Sequence, residues 1–138
     1  MGVLEELYKG QAHITDFVAA EVLRGIQVGH SRLEAVPAAV RSGWLKQTGL
    51  RTGKEKGLFE SLSRSLGLGE ASTIAVAKGR GFMVASDDRV ARTEAGARGV
   101  ALTGTLGILV KAVRSGVCDL RDADRHLAKI LLASPDKA

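Results

Sequence analysis

The sequence predicts an α/β fold with a parallel sheet. Short apolar runs alternate with segments of helical period, and such alternation is built from right-handed crossovers. Aromatic residues make up only 4% of the chain, so Leu, Val, Ile and Ala must fill the core. The third observation is the stretch Leu66 to Arg92, which combines a helix, a glycine stop and a strand with acids at its ends. At 138 residues the chain is long enough for one domain, taken here as residues 1–138.

In order along the chain, Val3 to Lys9 predicts one or two helical turns stopped by Gly10. Ala12-His13-Ile14-Thr15 is a short strand candidate, and Thr15 or Asp16 caps a helix running to about Arg24, ended by Gly25. Glu21 borders the apolar stripe of that helix, three residues after Val18. Arg32 to Arg41 is a helix that carries Pro37, a residue suited to a first turn. Trp44 to Thr48 is an edge strand, and the basic segment LRTGKEKG is a loop. Leu58, Phe59, Leu62 and Leu66 recur at helical spacing, which predicts a helix over 55–66.

Glu70 opens the next helix and shares a face with Ile74 and Ala77, and Gly79 and Gly81 stop it. Phe82-Met83-Val84-Ala85 is a continuous apolar run, as in a strand buried on both faces. Asp87 and Asp88 stand where that strand ends, and a helix follows from Arg89 to about Ala95. Val100 to Thr103 predicts a further strand and Leu106 to Arg114 an apolar helix stopped by Gly116. Asp119 or Asp122 caps a last helix with Leu127, Ile130 and Leu131 inward.

Ligands of open α/β sheets bind beyond the carboxyl ends of the strands. Acids at such an end, with others on neighbouring helix faces, form an oxygen donor set for a divalent cation. The candidates are Glu21, Glu70, Asp87 and Asp88. The same residues also suit ordinary roles, Glu70 as a first-turn acid and the aspartates as helix caps.

Other motifs carry less. Gly67-Leu68-Gly69 superficially matches a dinucleotide fingerprint, but it follows a helix, and Glu70 would repel a pyrophosphate. His13, His30 and His126 lack metal-ligand spacing. The single cysteine, Cys118, cannot form an intrachain disulfide, which predicts a reducing, cytoplasmic setting. Ser86 is placed to orient the neighbouring acids through its hydroxyl. The start of the chain is not a secretory signal, and no run reaches the length of a membrane span. A formal charge of +5 favours polyanions, and Arg41, Lys46, Arg51, Lys54 and Lys56 form a basic stretch that could track phosphates.

The segments GEASTIAVA, FMVASDDRVAR and GVALTGTLGILVKAVRSG resemble the prokaryotic PIN-domain-like proteins. The similarity is greatest to the toxin-like nuclease branch with GEAxAIxLA, Asp-Asp-x-x-Ala-Arg and GTLGxL motifs. The resemblance implies a three-layer α/β/α sandwich and a ribonuclease that uses magnesium or manganese (Mg2+ or Mn2+). It implies that Glu21, Glu70 and Asp88 are metal ligands and that Asp87 is an auxiliary catalytic group. It also implies RNA as substrate and an antitoxin protein as partner.

The chain departs from the family pattern at its start, where Met1 to Leu7 matches the helix that follows the family's first strand. Two expectations follow: either the natural protein starts about 20 residues upstream and carries that strand and its aspartate, or the domain is truncated at its N-terminus and lacks both. For the 138-residue chain nuclease activity should be weak or absent, and the alternatives are a degenerate module that binds RNA or protein without cutting and an inert homo-oligomer that fills the missing strand position from another copy.

Overall fold

The computed structural model describes residues 8, 11–104 and 107–108. The helix expected over Val3 to Lys9 lies outside these save Tyr8, a bend, and the helices from Leu106 onward lie outside them save Gly107 and Ile108, which are helical, as do Cys118 and His126.

Strand β1 (Ala12–Thr15) leads into helix α1 (Asp16–Gln27). Thr15 is the N-cap, its hydroxyl accepting from the Val18 N–H. Gly25 does not end α1. The left-handed stop is Gly29, at φ 107, and Gly25 serves packing instead. A Cβ there would stand 2.5 Å from the Leu33 side chain, which belongs to a 3-10 turn over Ser31–Glu34.

Helix α2 (Ala35–Ser42) carries Pro37 in its first turn and ends at Gly43, φ 91. Strand β2 (Leu45–Thr48) pairs in parallel with β1, Ala12 opposite Leu45 and Thr15 opposite Thr48. Its Leu45 and Thr48 are buried, and Lys46 and Gln47 are exposed.

The segment expected as a loop, LRTGKEKG, is already helical from its fourth residue onward: helix α3 spans Gly53–Leu62. Thr52 caps it by accepting from the Glu55 N–H at 3.1 Å, and Glu55 is buried at 2% exposure against Arg80. The helix is shorter at its far end than the periodicity suggests. Ser65 and Leu66 close a turn onto the Leu62 carbonyl, which still buries Leu66.

Helix α4 (Leu68–Arg80) is the spine of the fold. It buries Ala71, Ser72, Ile74, Ala75, Val76 and Ala77 and packs on α1, α3, β1 and β3. Gly81, at φ 69, is its stop. Gly79 lies inside the helix, where a Cβ would meet the Glu55 side chain at 2.8 Å.

The next strand is shorter and less buried than the apolar run implies. Only Val84–Ala85 form β3, with Val84 buried and Ala85 exposed. Phe82 and Met83 are exposed, and the Phe82 ring stacks on His13 with centroids 4.9 Å apart. Asp88 caps α5 (Arg89–Ala97), and β4 (Leu102–Thr103) pairs in parallel with β3.

The architecture is therefore α/β with parallel strands, as the alternation predicts. The described strands form two parallel pairs, β1 with β2 and β3 with β4, where one continuous sheet was expected. His13 of β1 and Phe82, two residues before β3, stack across that junction. The core lies under α4, where Leu62, Leu66, Ile74, Val84, Ala91 and Val100 pack together. No helix among the described residues is long and apolar enough to cross a membrane.

Candidate functional site

A cavity of about 190 Å³ opens beside the C-terminal end of β3, between α1, α4 and α5. Val18, Ile74 and Val84 form its apolar wall, and Glu21 and Glu70 bring its two carboxylates. Ser86, just past β3, adds a hydroxyl.

Glu21 reaches the cavity from the second turn of α1. Its Oε1 accepts from the Gly69 N–H at 3.0 Å, so the carboxylate caps the start of α4, where unpaired N–H groups attract negative charge. A hydroxyl chain holds the two helices in this register. Val18 N–H donates to Thr15 Oγ1 at 3.2 Å, Thr15 and Ser72 share a hydrogen bond of 2.7 Å, and Ser72 Oγ donates to the Gly69 carbonyl at 2.9 Å. Both Thr15 and Ser72 are buried, so each hydroxyl needs a protein partner, and the chain supplies them.

Glu70 stands one residue after Gly69 in the first turn of α4, exposed at the cavity's edge. Its shared face with Ile74 is real, since both line the cavity, although Ile74 is fully buried and Glu70 is not. The backbone at Gly67 passes close beneath it: a Cβ there would lie 3.3 Å from Glu70 Oε2.

Asp88 and Asp87 occupy the adjoining turn, outside the cavity's lining. Asp88 Oδ2 accepts from the Ala91 N–H at 2.9 Å, and the Asp88 N–H donates to Ser86 Oγ at 3.1 Å. Asp87 packs over Gly104, where any Cβ would collide with its Oδ1. Arg92 ties the turn to β4 by donating from Nη1 to the carbonyls of Ser86 (2.7 Å) and Thr103 (3.2 Å).

The predicted acids thus divide into a cavity pair, Glu21 and Glu70, and a turn pair, Asp87 and Asp88. Among the described residues, no three His, Cys, Asp or Glu side chains converge closely enough to hold a metal ion. The donors facing the cavity are oxygens, which suits a hard cation. Two carboxylates fit an ion such as Mg2+ that keeps most of its water, and do not form a closed cage.

Sequence reasoning missed Gly69 as a donor and the Thr15–Ser72 link, because both depend on where α1 lies against α4. The pairing of Glu55 with Arg80 was also missed. Its one available signal was Thr52 three residues before Glu55, the spacing of a capping box. The basic residues Arg41, Lys46, Arg51, Lys54 and Lys56 are all exposed. Arg51 and Lys54 follow β2, and parallel pairing puts them at the same end of the strands as the start of α1.

No curated protein and no solved structure matches the chain. A family model described as PIN domain matches residues 1–132, nearly the whole sequence. The chain belongs to the PIN-domain family.

Proposed function

We propose that this protein is a metal-dependent ribonuclease that hydrolyses RNA phosphodiester bonds. PIN-domain proteins are generally nucleases, and that supports the reaction class. The observation that carries the reading for this chain is the meeting of Glu21 and Glu70 on one cavity beside Ser86.

In this reading Glu21 and Glu70 hold Mg2+ or Mn2+, and Asp88 contributes with the oxygen that does not bond Ala91. The chemistry such an ion supplies is activation of water and neutralisation of charge on the phosphoryl group. Asp87 acts as an auxiliary catalytic group that orients water. The Ser86 hydroxyl, already accepting from the Asp88 N–H, fixes the turn that presents both aspartates. Arg51 and Lys54 would hold the RNA backbone, and their contribution would weaken steeply with salt. A role as toxin of a toxin–antitoxin pair and an antitoxin partner are proposed on family resemblance, a cytoplasmic setting on the single cysteine, and homo-oligomerisation on the missing strand position that another copy would fill.

A second reading has its own support. Because no three acids converge among the described residues, the chain also suits a degenerate PIN module that binds RNA or protein without cutting.

One assay separates the two. Labelled single-stranded RNA is incubated with the full chain in Mn2+ or in EDTA, alongside Glu70→Gln. Cleavage that needs Mn2+ and vanishes in Glu70→Gln supports the nuclease. RNA binding without cleavage, indifferent to EDTA and to the substitution, supports the module.

A further inference from the structure

We propose that the Gly67-Leu68-Gly69 turn is a seat for carboxylates, and that Gly69 is the positioning residue for Glu21. The part concerning metal binding rests on the nuclease reading above.

The two glycines invite comparison with a phosphate-binding turn, but the space over them is already taken by protein. The Gly69 N–H points at Glu21 Oε1, 3.0 Å away. A Cβ on Gly69 would stand 2.7 Å from Oε2, 2.8 Å from Oε1 and 2.9 Å from Cδ of Glu21. Gly67 gives similar but looser clearance to Glu70 Oε2, at 3.3 Å. The first turn of α4 therefore receives one carboxylate from α1 and carries a second of its own. An N–H donor and the positive end of the helix offset the repulsion between them.

Backbone conformation is not the reason for glycine at position 69. The glycines of positive φ are Gly29, Gly43, Gly81 and Gly99, and Gly69 lies inside a helix. Alanine is a better helix residue than glycine there, so glycine costs local stability. What it provides is room for the Glu21 carboxylate to lie flat on the turn and face the cavity. Adding a methyl group would swing the end of Glu21 away, since a flexible side chain yields before the backbone does.

The test compares four full-length proteins: wild type, Gly69→Ala, Glu21→Ala and the double variant. Urea midpoints and Mn2+ binding, read from the electron paramagnetic resonance signal of free Mn2+, are measured for each. The seat predicts a reversal of sign. Gly69→Ala lowers the midpoint when Glu21 is present and raises it in the Glu21→Ala background. It also weakens Mn2+ binding by about tenfold or more, as loss of a group that orients a ligand does, and adds nothing to the loss caused by Glu21→Ala.

Equal midpoint shifts in both backgrounds would overturn the seat. Undiminished Mn2+ binding in Gly69→Ala would overturn the positioning role. A wild type that binds no Mn2+ would sink the cation reading, and the positioning role with it, while the midpoints still decide the seat.

Discussion

Arg80, in the last turn of α4, grips the buried carboxylate of Glu55 with two nitrogens. Nε donates to Oε2 at 3.1 Å and Nη2 to Oε1 at 3.0 Å. The guanidinium also donates to Thr48 Oγ1 at 2.8 Å and to the Gly49 carbonyl at 2.7 Å. One side chain thus ties together the end of β2, the start of α3 and the end of α4. The Arg51 N–H gives Glu55 Oε1 a further donor at 2.9 Å.

Replacing Arg80 with Met leaves that carboxylate buried and uncompensated. Breaking a buried pair from one side costs about 3–5 kcal/mol. Urea denaturation of Arg80→Met should show a loss of this order, and a loss below about 1 kcal/mol would mean that the site relaxes or floods.

Acid should loosen the same junction. The Arg80 hydrogen bonds, with the Arg51 N–H, hold Glu55 below its ordinary value of 4.5, against the opposing effect of burial. A depressed carboxyl stabilises the fold above the unfolded value and loses that contribution as pH falls through the folded one. Stability should therefore decline below about pH 4.5 and the decline should shrink in Glu55→Gln, as melting temperatures across pH 3 to 7 would reveal. Parallel profiles for the two proteins would exclude Glu55 as a source.

Asp88 has two roles that substitution can separate. Asn caps a helix as well as Asp does, whereas Ala forfeits about 1 kcal/mol. Asp88→Asn should keep wild-type stability and Asp88→Ala should lose roughly that amount. If Asp88 is also a metal ligand, RNA cleavage disappears in both. Cleavage that survives in Asp88→Asn would reduce the residue to a cap.

Glu70 offers the cleanest separation of chemistry from folding. It is exposed, and its interaction with the α4 dipole is worth no more than about 1 kcal/mol. Glu70→Gln should therefore melt within a few degrees of wild type and yet abolish cleavage. Ile74, one turn further on and fully buried, should behave in the opposite way. Ile74→Ala should cost about 2–5 kcal/mol by leaving a cavity under α4, measurable by the same urea titration.

The sequence made the ends of several elements legible. Thr15 and Asp88 are caps whose side chains accept from the N–H three residues on, a purely local relation. Gly81 was legible as a stop for the same reason. Gly25 and Gly79 were misread because glycine has two uses that look alike in a sequence. One is a left-handed turn and the other is room for a neighbour, here Leu33 and Glu55. Phe82 and Met83 were misread as buried strand because an apolar run does not reveal how much of it finds a partner strand.

In the site, helical spacing was enough to point Glu21 and Glu70 toward apolar faces. It could not show that an N–H of α4 claims one oxygen of Glu21. Burial of Glu55 was invisible because its counter-charge lies 25 positions away.

The parallel pairing of the strands has a consequence in time. Neither pair can form as a hairpin: α1, the 3-10 turn and α2 must cross over before β1 meets β2, and α5 before β3 meets β4. Each closure spends chain entropy before any ladder bond forms. Helix α3 can cover its own side of α4 early, but the sides of α4 that face β1 and β3 stay uncovered until the crossovers are complete. The slowest step should be the docking of these pairs on α4, so the interval before docking is when self-association competes with folding.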